Sequence, residues 1–246
     1  MKPMTRRRFF APPGAFNTTK RSVTLGADEA RHLREVLRLK PGAEVTVFDG
    51  AGKEFHARVI QARREFAELE LGPEIDAARP ESPLRITLAL ALLKGEKFDL
   101  VVQKATELGV TNIVPMTTRH ADIKLRDESD AHKRVTRWQR IALEAAKQSG
   151  RAAVPAIENP TSFSTVLASL NPCLLFSERE GNELPPVESN AVTTIIGSEG
   201  GWSDEELAEA GVAGAEIVTL GGRILRAETA AIAAVTLLQH RFGDLN

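Results

Sequence analysis

The segment Leu220-Gly221-Gly222-Arg223-Ile224-Leu225-Arg226-Ala227-Glu228-Thr229-Ala230 constrains this chain most. It passes from an apolar run through a glycine pair and charged residues into an alanine-rich stretch. Ile217 to Leu220 reads as a short buried strand. The glycines let the backbone turn and approach a ligand closely. Ala227 to Arg241 reads as a helix too rich in alanine to stand far from its neighbours. The same pattern occurs just upstream, where Thr193 to Ile196 enters Gly197-Ser198-Glu199-Gly200-Gly201. A helix opens there after Trp202, with Ser203 and Glu206 spaced as a capping box. Two strand-to-loop turns of one kind predict a single site built beyond the ends of two strands.

Around that site the chain alternates strand and helix from Leu84 onward: a strand over Arg85 to Leu93, a helix over Lys97 to Leu108, a strand over Ile113 to Met116, a long helix over Lys133 to Gln148, and a strand over Leu174 to Phe176. This succession implies an α/β domain with a mostly parallel sheet, whose ligands bind beyond the carboxyl ends of strands. Residues 22–71 differ, with four alternating or apolar runs that suggest a small β-barrel, interrupted by a helix that opens at Asp28 and carries His32, Leu33, Val36 and Leu37 on one face. Residues 73–83, rich in proline and charge without periodicity, read as a linker.

The 246 residues are 42% hydrophobic and 26% charged, which suits globular folding. The formal net charge of −1 argues against indiscriminate coating of nucleic acid. Its distribution is uneven. Residues 1–40 hold ten Lys or Arg against three acids, which reads either as a surface for a phosphate backbone or as a solvated basic tail. Arg6, Arg7 and Arg8, with Arg34 and Arg38, are the candidate RNA contacts. Phe9 and Phe10 are placed either to stack on an unpaired base or to begin the barrel. No apolar segment of membrane-spanning or signal-peptide length is visible, so a cytoplasmic protein without membrane contact is expected. The five histidines lack metal-ligand spacing, so no metal is expected. The lone Cys173, in an apolar run, reads as a small buried hydrophobe. The loops have neither Walker spacing nor Gly-x-Gly-x-x-Gly, which argues against nucleoside triphosphates.

Ile196-Gly-Ser-Glu-Gly-Gly-Trp-Ser-Asp-Glu-Glu206, followed by Leu220 to Ala230, resembles the paired cofactor loops of the RsmE family, the 16S ribosomal RNA uracil-N3 methyltransferases of the SPOUT superfamily. His32 to Arg38, Phe48-Asp49-Gly50, Lys104 to Val110, Ala145 to Arg151 and Arg241 to Leu245 resemble family blocks in family order, so the resemblance spans nearly the whole chain. It departs at Ser198 and Gly222, where the family usually has proline.

The resemblance implies a PUA-like β-barrel over 1–72, a linker over 73–83, and a SPOUT α/β domain with a C-terminal trefoil knot over 84–246. It implies a homodimer acting on 16S rRNA in the small ribosomal subunit, with S-adenosyl-L-methionine as cofactor. The cofactor residues expected are Phe176, Ser177, Ile196, Gly197, Glu199, Gly200, Gly201, Leu220, Gly221, Ile224, Leu225 and Thr229. A carboxylate such as Glu178 or Glu199 would favour the positive sulfonium. Arg226 is the expected catalytic residue, because a planar cation suits the charge left on uracil after N3 loses its proton. The residues alone leave Arg226 as a surface partner of Glu228, Thr229 as a helix cap, and the proton acceptor open among Glu199, Glu228 and water. A ribose 2′-O-methyltransferase and a non-catalytic RNA-binding assembly factor remain as alternatives.

Overall fold

The computed structural model describes residues 7–169, 172–179 and 181–245. The chain divides into two compact units, one of residues 7–81 with 146–154, the other of residues 82–145 with 155–245.

The first unit is a six-stranded sheet built from β1 (Arg8–Phe10), β2 (Phe16–Asn17), β3 (Ser22–Leu25), β4 (Glu44–Phe48), β5 (Glu54–Ala62) and β6 (Ala67–Ile75), in the order β1-β4-β5-β6-β3-β2. The edge strands β1 and β2 are not paired with each other, so the expected barrel is an open, curled sheet around a core that includes Phe9, Val23, Leu25, Leu33, Val47, Val59 and Leu69. The Phe48-Asp49-Gly50 motif makes the β4–β5 turn. Asp49 Oδ1 accepts from the amides of Ala51 at 2.7 Å and Lys53 at 3.0 Å, the aspartate's usual way of closing a turn.

The helix of this unit is α1 (Ala27–Arg31), which widens into one π turn over His32–Val36. A wider turn shifts the phase of the following side chains. Val36, expected on the apolar face, is instead 68% exposed. Arg38 then takes a left-handed backbone, φ 51°.

Arg8 departs from its expected role. Its guanidinium is buried, with Nε 2.9 Å from Glu54 Oε1, Nη2 2.9 Å from the Arg151 carbonyl, and its carbon 3.9 Å above the centre of the Phe48 ring. The two charged side chains are 3% and 1% exposed. Arg8 is therefore a structural cation and unavailable to phosphate, so it is withdrawn as an RNA contact. Removing one member of a buried ion pair strands the other in a low-dielectric site, so Arg8→Met is expected to lower the unfolding free energy by about 3–5 kcal/mol. Urea denaturation checks this, and a change below about 1 kcal/mol would mean that the pair is dispensable.

The expected domain limits differ from the structure in two places. Strand β6 runs to Ile75, into the stretch read as linker. Residues 146–154 belong to the first unit: Val154 N donates to Gly50 O at 2.9 Å, Lys147 pairs with Glu29 at 2.7 Å, and Arg151 pairs with Glu81 at 2.5 Å.

The second unit contains β7 (Arg85–Ala91), α2 (Lys97–Glu107), β8 (Asn112–Thr117), α3 (Glu128–Ser149), whose last turn passes into the first unit, β9 (Ala156–Ile157), β10 (Thr161–Ser162), α4 (Phe163–Ala168), β11 (Cys173–Phe176), β12 (Ala191–Ile196), α5 (Asp204–Val212), β13 (Glu216–Val218) and α6 (Ala227–Phe242). All its strand pairs are parallel, in the order β10-β8-β7-β12-β11-β13 with β9 beside β8. Strand β11 lies between two strands that follow it in sequence, so the chain crosses β11 between β12 and β13. The carboxyl ends of β11, β12 and β13 thus fall side by side, each with a loop above it. Helix α6 turns Ala227, Ala231, Ala234, Val235 and Leu238 inward. Its alanines permit the close approach to α2, β7 and β12. Cys173 is buried and free, and burial pushes its thiol up to about 11, which fits a packing role rather than a nucleophilic one.

Candidate active site

The three loops enclose a cavity of about 370 Å³ lined by residues of segments 176–178, 196–202, 219–221, 223–227 and Ala230. All the expected cofactor residues line it except Thr229, and so does Arg226. Thr229 is exposed outside the lining, while Ala230, one position on, faces in. The helix that begins at Ala227 turns successive side chains by about 100°, so neighbouring positions separate in this way.

In the loop after β12 the glycines are required by contact and by conformation. A Cβ on Gly200 would lie 2.7 Å from the carbonyl oxygen of His120, and Gly201 has φ +69° with the Glu178 carboxylate beside it. The loop then enters α5 through the expected capping box. Glu206 N donates to Ser203 Oγ at 3.2 Å, and Ser203 N donates to Glu206 Oε2 at 3.0 Å. The other carboxylate oxygen of Glu206 accepts from Arg119 N at 2.8 Å, which joins the loop after β8 to the same cap.

Trp202 supports the floor and was not singled out by the sequence. It is buried, its Nε1 donates to the Phe176 carbonyl at 2.8 Å, and its ring lies 5.0 Å from that of Phe163. One indole thus ties the end of β11 to the loop after β12. Its position directly after the glycine pair was the available signal.

The electrostatics centre on Lys97, at the start of α2. Its Nζ lies 2.9 Å from Glu199 Oε1 and 3.9 Å from Glu228 Oε2, with side-chain exposures of 32%, 25% and 14%. One ammonium therefore connects the loop after β12 to the first turn of α6. Partial burial alone would raise the Glu199 carboxyl, but the hydrogen bond from Lys97, backbone amides and the charge of Lys97 together hold it below the ordinary carboxylate range. Nothing in local sequence reveals this triad, since Lys97 and Glu199 are 102 positions apart.

Arg226 forms no ion pair with Glu228 or any other carboxylate among the described residues. It sits at the N-cap of α6 in extended conformation, φ −65° and ψ 150°, exposed at the cavity. The surface-pair alternative is therefore replaced by a free guanidinium at the site. Among the other expected RNA contacts, Arg7 and Arg38 are exposed. Arg34 pairs with Glu35 at 2.5 Å. Arg6 lies outside the described residues. No group of His, Cys, Asp or Glu among the described residues is arranged to hold a metal ion, and no described helix is long and apolar enough to cross a membrane.

This arrangement has close counterparts. An RNA methyltransferase domain family matches residues 80–239, and an RNA methyltransferase PUA domain family matches residues 25–72. The ribosomal RNA small subunit methyltransferase E of Synechocystis sp. is 35% identical over 244 residues, covering 94% of this chain and 76% of that protein. The chain belongs to the ribosomal RNA small subunit methyltransferase E family. The Bacillus subtilis member is 27% identical over 235 residues, covering 89% and 90%. A crystal structure of the Neisseria gonorrhoeae member, bound to S-adenosyl methionine, superimposes with a TM-score of 0.86 at 36% identity, covering 98% of this chain and 99% of that one. The fold is accordingly that of ribosomal RNA small subunit methyltransferase E: a PUA-like curled sheet followed by a parallel α/β methyltransferase domain.

Proposed function

We propose that this chain transfers the methyl group of S-adenosyl-L-methionine to N3 of a uracil in 16S rRNA of the small ribosomal subunit. The observation that carries this reading is the cavity beyond β11, β12 and β13, with a free Arg226 at its edge. The residues present suit the cofactor. Gly200 and Gly201 pack so closely against His120 and Glu178 that no side chain fits there, so the loop's own backbone faces the cavity; Ile196, Leu220 and Leu225 offer apolar walls to a nucleoside, and the buried Ser198 hydroxyl lacks a partner among the described residues. When bound, S-adenosylmethionine supplies an electrophilic methyl group on a positive sulfonium.

The remaining chemistry belongs to the chain. Glu199, held ionised by Lys97, keeps a negative charge at the cavity to balance a cation. The same hydrogen bond makes it a poor proton acceptor. The Arg226 fork stabilises the charge that spreads to the uracil carbonyl oxygens as N3 passes its proton to water. Lys97 holds the glycine loop against the helix that carries Arg226. Lys97→Met is therefore expected to weaken cofactor binding by about threefold to tenfold, while Lys104→Met, which removes an i,i+3 pair with Glu107 on the same helix, leaves affinity unchanged.

The reading includes a cytoplasmic homodimer with the family's trefoil knot, and RNA docking through Arg6, Arg7, Arg34 and Arg38 of the basic N-terminal segment. Calorimetric titration with S-adenosylmethionine, followed by methyl transfer to purified small subunits, tests it. The absence of both binding and transfer would overturn the proposal, and binding of rRNA alone would favour the assembly-factor alternative.

A further inference from the structure

Ser198 was not among the residues expected to touch the cofactor, yet its position is unusual for a hydroxyl. The residue is 7% exposed, lines the cavity, and its Oγ has no hydrogen-bond partner among the described residues. Buried polar side chains are nearly always satisfied, because an unpaired one forfeits its hydration without replacement. Thr194 Oγ1 is also buried and unpartnered, but it sits within β12 with paired strands on both sides and does not line the cavity. Ser198 stands in the loop itself, between Gly197 and Glu199, and is one of the residues that line the cavity.

The neighbouring groups leave this hydroxyl free for a ligand. Trp202 Nε1 is spent on the Phe176 carbonyl, Glu199 on Lys97, and the Ser198 carbonyl on the Gly201 amide at 3.1 Å. We infer that the Ser198 hydroxyl is a cofactor-binding group of this chain, completed by a hydrogen bond to a polar atom common to S-adenosylmethionine and its demethylated product. A neutral hydroxyl has no preference for the sulfonium charge, so both ligands gain from it alike. The inference rests on the reading of this cavity as the cofactor site.

Such a group has opposite effects on the free and bound protein. In the free protein an unsatisfied hydroxyl is a burden, and replacing it with a methyl-sized side chain relieves it. In the complex the same replacement loses a hydrogen bond. Ser198→Ala is therefore expected to melt at the same temperature as the parent or higher when free, to bind S-adenosylmethionine and S-adenosylhomocysteine about threefold to tenfold more weakly, and to show a smaller thermal shift on saturation with either.

Calorimetry and thermal denaturation of full-length parent and Ser198→Ala, each with and without the two ligands, provide the test. If the parent binds and the variant matches its affinity, this inference fails while the proposed function stands. If the free variant melts lower and its thermal shift on ligand addition equals the parent's, the hydroxyl has a structural role and the inference is again wrong. If the parent binds neither ligand, both readings fall together.

Discussion

Arg226→Lys is expected to keep its affinity for S-adenosylmethionine and to lose methyl transfer by a factor on the order of 10²–10³ in single turnovers on small ribosomal subunits. Lysine preserves the charge but not the planar fork that can face a ring nitrogen and a carbonyl oxygen together. The structure strengthens this expectation because Glu228, the partner that a surface pair would require, is engaged by Lys97 instead. The Arg226 guanidinium is thus not held away from the cavity by a neighbouring carboxylate. A Lys variant within a few-fold of the parent would show that charge alone is sufficient and that the fork has no role.

Gly201→Val is expected to abolish measurable cofactor binding while the circular dichroism of the protein stays that of the parent. At φ +69° a β-branched residue is strained, at a cost on the order of 1–3 kcal/mol. Its side chain would also displace the Glu178 carboxylate from the cavity wall. The loop relieves that strain by moving, and the wall moves with it. The capping box at Ser203 and the buried Trp202 lie beyond the loop and preserve the fold. Calorimetry with unchanged affinity, in a folded variant, would take this loop out of the site.

The site was legible in sequence where its chemistry is local. An apolar run ending in glycines specifies a strand, a turn and a close approach within ten residues, and the capping box at Ser203 and Glu206 announces the next helix. The loops after β12 and β13 could be read for this reason. Contacts across long sequence separations could not. Lys97 looks like any helix-start lysine until the fold brings Glu199 and Glu228 to it.

Arg8 shows the converse error. Three successive arginines read as an exposed patch, yet β1 begins only at Arg8, and its pairing beside β4 and β5 brings that side chain to a buried carboxylate. Arg8 lies against Glu54, 46 positions away, while Arg7 stays outside. Segment 146–154 was hidden differently, because the change of unit falls at Ala146, inside α3, where the helical pattern runs on to Ser149 without a mark. The elements β9, β10 and α4 are too short to carry a period at all. The π turn that exposes Val36 similarly leaves no mark in a sequence whose apolar spacing remains helical.

The most direct test is nucleoside analysis by mass spectrometry of 16S rRNA after unmodified small subunits have been incubated with the purified chain and isotopically labelled S-adenosylmethionine. The account predicts labelled 3-methyluridine, present with the parent protein and greatly reduced with Arg226→Lys. Label on a ribose 2′-oxygen, or rRNA bound but unlabelled by a protein that binds the cofactor, would contradict it.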